Sequence, residues 1–303
     1  MNILRRYGRI ACIGYAVVIS LFGVGLWGLH SYGYLWAAKL DHDSWASRGS
    51  DLLARGHREQ AERQYRALLT VHPHSPTGWA GLLESRRNRW SESNEALEIA
   101  NEAREALKNT HATTGDLLYV RVQFENWRVS PDENSEALAQ AKEILGALET
   151  SGGLPAEGWH LRSHIAFENG MAASFVDALQ RLAEAPLEGS SDIYRRQRDQ
   201  AITVSGAADD AVDTERKVRA YMVLGEWENI RSALSSGDVA PTGTMGYLSG
   251  IVSEIEGNLA EAERIYSRLA SASSEGPNGP RRAMDRLRRE HGRDGFERSG
   301  PNE

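Results

Sequence analysis

The sequence is almost without cysteine: Cys12 is the single one among 303 residues. The rest of the chain therefore forms no disulfide and offers neither a thiolate nucleophile nor a cysteine metal site. Sustained alternation of apolar and polar residues is also missing, so we expect an all-α fold almost without strands. Because nucleophile-elbow, P-loop, zinc-protease and paired-carboxylate patterns are absent as well, we predict no catalytic residue, no cofactor, no resident metal and no enzymatic activity.

Acidic residues outnumber basic ones outside the N-terminus. The chain has 35 Lys and Arg against 42 Asp and Glu, a formal net charge of −7. The charged groups among the first 40 residues are all basic, so the remainder is more acidic than the whole chain. Binding to nucleic acid depends on neutralising phosphates, and an acidic domain does this poorly. We therefore expect protein partners, with no nucleic acid and no small-molecule substrate.

One long apolar run interrupts this polar sequence. "IACIGYAVVISLFGVGLWGL", residues 10–29, carries no charge, and as a helix it extends for about 30 Å, the thickness of the bilayer core. Within it "GVGLWG", residues 23–28, has the G-x-G-x-x-G spacing of a dinucleotide-binding turn. That motif needs a leading strand and a second strand ending at an acid, and the distance to Asp43 leaves no room for them. We predict a transmembrane helix over residues 10–31.

The flanking residues orient this helix. Arg5, Arg6 and Arg9 precede it and only Lys39 follows closely, which places residues 1–9 in the cytoplasm and the rest across the membrane. Residues 32–42 then form a juxtamembrane linker with aromatic residues at the far interface. We predict an uncleaved signal anchor in the inner membrane, with the repeat domain in the periplasm. A cleaved signal peptide and an inverted, cytoplasm-facing anchor are the alternatives.

A repeat begins after the linker, in "SWASRGSDLLARGHREQAERQYRALLTVHP", residues 44–73. Its spaced residues are Trp45, Gly49, Leu52, Gly56, Ala61, Tyr65, Leu68 and Pro73. The stretch resembles a tetratricopeptide repeat (TPR), although Arg48 and Leu52 depart from the usual leucine and tyrosine. The physical interpretation agrees, because the first three residues share one helical face and Pro73 stops a second helix. The pattern recurs after Trp79 and Trp159 and again around Tyr266, with poorer copies between.

The resemblance implies a right-handed superhelical solenoid of TPR-like helix pairs over residues 43–274, preceded by one transmembrane helix. Residues 190–210 do not fit the period, so we expect an extra helix and a possible break there. Residues 275–303 open with a Gly/Pro linker, and we predict a basic capping helix followed by a tail.

The resemblance also implies where partners bind. In this family the first helices of successive pairs line an inner groove, and the corresponding residues here mix apolar and polar character. This mixture suits a peptide or a helix from a partner protein. The predicted groove residues are His160, His164, Phe167, Glu84, Arg87, Tyr247, Ile251 and Glu254.

His160 and His164 are one helical turn apart and have the spacing of a metal-binding pair. A third ligand is not evident, with Glu168 the only nearby candidate. We therefore interpret the two histidines as groove residues, and a metal-dependent activity is the alternative.

Together these features predict a single-pass membrane scaffold or adaptor that mediates protein–protein interactions during assembly of a bacterial cell-envelope complex. The resemblance is to the repeat alone, and a fold by itself does not choose among pathways.

Overall fold

A computed structural model of the chain describes residues 42–87, 94–131, 134–207, 212–235, 243–272 and 278–295. These ranges contain fourteen helices and no strand, which confirms the predicted all-helical fold for this part of the chain. No helix within them is both long and apolar enough to cross a bilayer. The predicted cytoplasmic N-terminus, transmembrane helix 10–31 and nearly all of the linker lie outside the described residues.

The described residues divide into two compact units between Pro73 and His74. The first unit is a helix pair, α1 (His42–Ala54) and α2 (Arg58–Val71). Gly49 faces the ring of Tyr65, and a methyl group at Gly49 would collide with that ring. The small residue therefore lets the two helices pack closely over the buried Tyr65.

The second unit contains twelve helices in the described ranges. They are α3 (Pro76–Ser85), α4 (Glu95–Leu107), α5 (Ala112–Val129), α6 (Ser135–Gly152), α7 (Ala156–Glu168), α8 (Ala172–Glu184), α9 (Asp192–Ser205), α10 (Thr214–Leu224), α11 (Trp227–Ser235), α12 (Gly243–Ile255), α13 (Leu259–Ala272) and α14 (Gly279–Gly295). Most helices that are adjacent in sequence pack together, α8 and α9 being an exception, and a continuous apolar core extends from Leu117 to Leu287.

The same local design recurs within the second unit. In the pair α12–α13, Gly250 faces the ring of Tyr266, and a methyl group at Gly250 would collide with it. Gly49 and Gly250 thus have equivalent roles, each 16 positions before the buried tyrosine that it faces. A repeat-like arrangement of helix pairs follows from this recurrence.

First helices of neighbouring pairs also contact each other, α3 with α5 and α5 with α7. Tyr247 on α12 joins this set, since its ring lies 4.6 Å from that of Phe167 on α7. We call the shared face the first-helix surface. Its residues are Glu84, Arg121, Glu125, His160, His164, Phe167, Tyr247 and Glu254.

The segment that does not fit the repeat period forms α9, which packs on α10 and also on α3. Thr77 at the start of α3 donates a hydrogen bond to Asp192 at the start of α9. Thr114 donates to the carbonyl oxygen of Gly189 at 3.0 Å. The segment around α9 therefore lies against helices that precede it by more than 70 positions in the sequence.

Candidate functional site

The predicted groove residues on α7 lie on the first-helix surface, at two different depths. His160 and Phe167 are buried, with 5% and 6% of their surface exposed. His164 lies between them and is partly exposed. Two later helices cover the ends of this row: α9 lies over His160, and α14 lies over Phe167.

A buried polar network holds α9 over the first-helix surface. The carboxylate of Glu157 on α7 is fully buried and forms an ion pair of 2.5 Å with Arg121 on α5. The same carboxylate accepts hydrogen bonds from the backbone nitrogen and the hydroxyl group of Ser191, at 2.6 and 3.0 Å. Ser191 is in turn the N-cap of α9, because its hydroxyl group accepts from the backbone nitrogen of Tyr194. One carboxylate thus connects α5, α7 and the start of α9.

The two histidines contact each other edge to face, and α9 covers the first of them, His160. Their ring centroids are 4.5 Å apart, and the ring of Tyr194 lies 5.2 Å from that of His160. Burial lowers the pKa of His160 well below its usual value, and the charges of His164 and Arg121 lower it further. Burial likewise lowers the pKa of His164 to about 4, although Glu125 opposes this shift. Both imidazoles are therefore neutral at pH 7.

In the described ranges no group of three or more His, Cys, Asp or Glu side chains is placed to hold a metal ion. Among the same residues, no hydrogen-bond partner reaches Nδ1 of His160, which is buried. Arg121 lies close enough to disfavour a positive charge on this ring. The pair is therefore packed as neutral aromatic side chains.

The other end of the row lies under α14. Tyr247 on α12 is fully buried and donates its hydroxyl hydrogen to the carbonyl oxygen of Phe167, at 2.8 Å. Gly279, the first residue of α14, rests against both Tyr247 and Phe167, where any side chain would collide. Ile251 is also fully buried. Phe167, Tyr247 and Ile251 thus form part of the core in this structure and are not open to solvent.

Two arginines of α14 complete this contact. Arg282 donates to the carbonyl oxygen of Glu168 at 3.2 Å, and Arg286 donates to that of Gly170 at 2.9 Å. These carbonyl groups stand at the C-terminal end of α7, where cations are favoured by the helix dipole. Arg286 also pairs with the predicted groove residue Glu254 at 2.6 Å. Arg282 further stacks over the ring of Trp127 on α5, 4.5 Å from its centroid.

Between the two covering helices the first-helix surface remains open and charged. We call this region the charged opening; it consists of Glu125 and His164 of the first-helix surface together with the neighbouring residues Arg87, Arg128 and Glu168. Arg87 and Arg128 are exposed and the other three are partly exposed. Burial raises the pKa of Glu168, while Arg128 and Arg282 oppose that shift. Glu84 lies beside the opening, with its carboxylate 3.4 Å from the Arg87 guanidinium.

Two cavities that the sequence did not predict lie at the turn between α7 and α8. One, of about 540 Å³, lies among α6, α7 and α8 and includes Lys142 and Trp159 in its wall. The other, of about 570 Å³, is bounded by that turn and by Arg282 and Arg286 of α14. Both include Met171, an exposed apolar residue for which no spacing pattern gave a signal.

Comparison with known proteins adds no assignment to this geometry: no protein-family model matches the sequence, and no curated protein matches it.

Proposed function

We propose that this chain is a membrane-anchored TPR scaffold that binds partner proteins through its first-helix surface. In this proposal residues 10–31 anchor the chain in the inner membrane, and the helix pairs form a right-handed superhelical solenoid. The protein assists the assembly of a bacterial cell-envelope complex by holding a partner peptide or helix, and its role is binding without catalysis or a cofactor.

The recurring helix-pair geometry supports the TPR interpretation. Gly49 with Tyr65 and Gly250 with Tyr266 have the same separation and the same close contact in two separate parts of the chain. Contacts between successive first helices support a continuous binding face, because a groove requires these helices to be neighbours.

The observation that carries the proposal is the charged opening. Its arginines and carboxylates come from α5, α7 and the residues just after α3, and the charges of Arg87, Glu125 and Arg128 act on the partly exposed His164. Surfaces of this kind recognise charged and polar groups on a partner and set the specificity of an interaction. The adjoining ends of the surface already hold helices, so a helical or extended partner segment is the kind of ligand that this geometry fits.

Affinity purification tests this function. We would purify the full-length protein in mild detergent and identify the captured proteins for wild type, Arg128→Glu and Arg231→Glu. Arg128 and Arg231 form matched surface pairs, with Glu125 and Glu228 respectively, and both are about half exposed. We expect Arg128→Glu alone to lose specific partners. Equal capture by all three proteins would contradict a role for the charged opening.

A reporter fusion tests the topology. A phosphatase that is active only after export, fused to the C-terminus, is expected to be active if the repeat domain is periplasmic. An inactive fusion would support the alternative, a membrane adaptor that faces the cytoplasm.

A further inference from the structure

The helix α14 lies on residues that the sequence places in the partner-binding groove. Phe167, Tyr247 and Glu254 are all predicted groove residues, and each contacts α14 or its arginines. We call the surface under this helix the α14 dock; its residues are Trp127, Phe167, Glu168, Gly170, Tyr247 and Glu254.

We infer that the α14 dock is a helix-binding site, that α14 occupies it within the chain, and that a partner helix with the same side-chain pattern replaces α14. This inference rests on the proposed scaffold function and names the class of its partner. The pattern is a small residue at positions i and i+4, leucine at i+8, and arginine at i+3 and i+7, as in Gly279, Ala283, Leu287, Arg282 and Arg286.

The shape of the dock requires the small residues. Gly170 has a left-handed backbone, with φ of 72°, and a methyl group there would overlap the backbone of α14 at Ala283. At the other contact, Gly279 meets the ring of Tyr247 and the backbone of Phe167. Only a helix with small residues at both positions approaches the dock this closely.

The chemistry of the dock requires the arginines. It presents two carbonyl oxygens at the C-terminal end of α7 and the carboxylate of Glu254. Arg286 satisfies one carbonyl oxygen and the carboxylate together, using different nitrogens. A lysine has a single ammonium group and does not reproduce this forked geometry.

The packing of α14 makes replacement feasible. Ala283 and Leu287 are the fully buried hydrophobic residues of α14, and Met284 packs against the core while partly exposed, on the side where α14 meets α13. By contrast α8 buries Phe175, Val176, Leu179 and Leu182. A cavity of about 570 Å³ also adjoins Arg282 and Arg286, so the side of α14 that faces Met171 is incompletely packed. A helix with so little buried apolar surface opens more easily than the rest of the core.

A peptide-binding experiment tests the inference without knowledge of the natural partner. A fluorescent peptide of residues 278–295 is titrated against the full-length protein in mild detergent, and binding is followed by anisotropy. The wild-type protein is compared with Leu287→Asp, which loosens the internal helix and leaves the dock unchanged. We expect the peptide to bind the variant at least about 10-fold more tightly, because the tethered helix no longer competes at high effective concentration.

Two glycine substitutions in the Leu287→Asp protein locate the binding. Gly170→Ala places a methyl group in the dock, whereas Gly257→Ala imposes the same left-handed strain, with φ of 82°, where no atom lies within 4 Å. We expect Gly170→Ala to weaken peptide binding by about 10-fold or more relative to Gly257→Ala. A peptide with lysine in place of Arg282 and Arg286 is expected to bind several-fold more weakly than the native peptide.

Equal peptide affinity for wild type and Leu287→Asp, or equal affinity for the two glycine variants, would overturn the inference. If Leu287→Asp loses its helicity by circular dichroism, the double variant Arg282→Ala/Arg286→Ala takes its place. Global unfolding of both proteins would show that α14 is an integral part of the core, and would also overturn the inference. Failure here is distinct from failure of the scaffold function, which the partner purification tests through the charged opening.

Discussion

Two helices, α9 and α14, cover opposite ends of the same row of residues on α7, and they are held there by different chemistry. Under α9 the central group is Glu157, a fully buried carboxylate that forms an ion pair with Arg121 and accepts hydrogen bonds from Ser191. Under α14 the central groups are Arg282 and Arg286, which bind carbonyl oxygens at the end of α7.

The two contacts differ in strength. We expect α9 to stay in place as an integral part of the fold and α14 to be replaceable by another helix. Opening α9 would remove both hydrogen bonds that Ser191 donates to the Glu157 carboxylate, and hydrogen bonds to a charged group are among the strong ones, so the α9 contact is costly to break. The contact of α14 uses Leu287, the partly buried Met284 and arginine side chains that reach its edge, so its opening exposes less apolar surface than the opening of a core helix such as α8. We expect substitutions under α9 to act on global stability and substitutions in α14 to act locally.

The largest expected effect is at Glu157. Glu157→Ala should lower the free energy of unfolding by about 3–5 kcal/mol, because Arg121 is left buried without its carboxylate. Denaturant unfolding measures this loss. Glu149→Ala is the control, since Glu149 bridges Arg162 and Arg181 in a partly exposed position and should cost at most about 1 kcal/mol. A similar loss of unfolding free energy in both variants would show that the buried network under α9 is no stronger than a surface ion pair.

The second largest expected effect is a loss of folding stability at acid pH, which we attribute to His164. The folded-state pKa of His164 is lowered from 6.5 to about 4, so its contribution to stability is complete above pH 6.5 and is lost as the pH falls towards 4. Between pH 6.5 and pH 4 this shift lowers the free energy of unfolding by about 3 kcal/mol. Unfolding free energies measured between pH 7 and pH 4 should therefore fall less steeply for His164→Gln than for wild type.

The control for this pH dependence is the exposed residue His111. His111→Gln should retain the wild-type slope. A wild-type slope in His164→Gln as well would place the acid sensitivity elsewhere in the protein.

Two buried leucines allow a direct comparison of a core helix, α8, with the helix α14. Leu179 on α8 and Leu287 on α14 are both buried. Leu179→Ala should lower global stability by about 3 kcal/mol, whereas Leu287→Ala should cost about 2 kcal/mol and act mainly by opening α14. Hydrogen exchange followed by mass spectrometry distinguishes the two outcomes, because only Leu287→Ala should speed exchange in residues 279–295 selectively. Protection lost across α7 and α8 in that variant would contradict a separable α14.

The smallest expected effect is at the arginines of α14. Arg286→Ala should speed exchange in this helix by a factor corresponding to about 1–2 kcal/mol, since Arg286 bonds a carboxylate and a carbonyl group. Arg288→Ala removes a half-exposed pair with Glu263 and should cost less than about 1 kcal/mol. Equal effects of the two substitutions would show that the contacts of Arg286 with the dock add nothing specific.

Several features of the fold were predictable because they are local. The helices follow from the spacing of apolar residues, and Gly49 marks the close contact with Tyr65 because both lie within one helix pair. A basic helix after residue 274 was also expected, and the structure contains α14 at Gly279–Gly295.

The candidate site was predictable only in part. His160, Phe167 and Tyr247 are three of the predicted groove residues, and in the structure they lie on the first-helix surface but are buried. Their burial comes from segments distant in sequence, Tyr194 and Gly279. Helical periodicity reports which residues share a face, and it carries no information about which later segment packs on that face. The small residues Gly279 and Ala283 and the apolar Leu287 gave α14 a narrow apolar stripe, the one signal that this helix packs on another surface.

The helical character of the described residues and the pairing of helices that follow each other closely in the chain could be read from the sequence alone. The physical reason is that helix formation and pairing depend on side chains within a few turns of each other. The positions of α9 and α14 on the first-helix surface, and the charged opening around His164 between them, are known only from the tertiary structure. These contacts join residues 34 positions apart under α9, such as Glu157 with Ser191, and 114 positions apart under α14, such as Glu168 with Arg282.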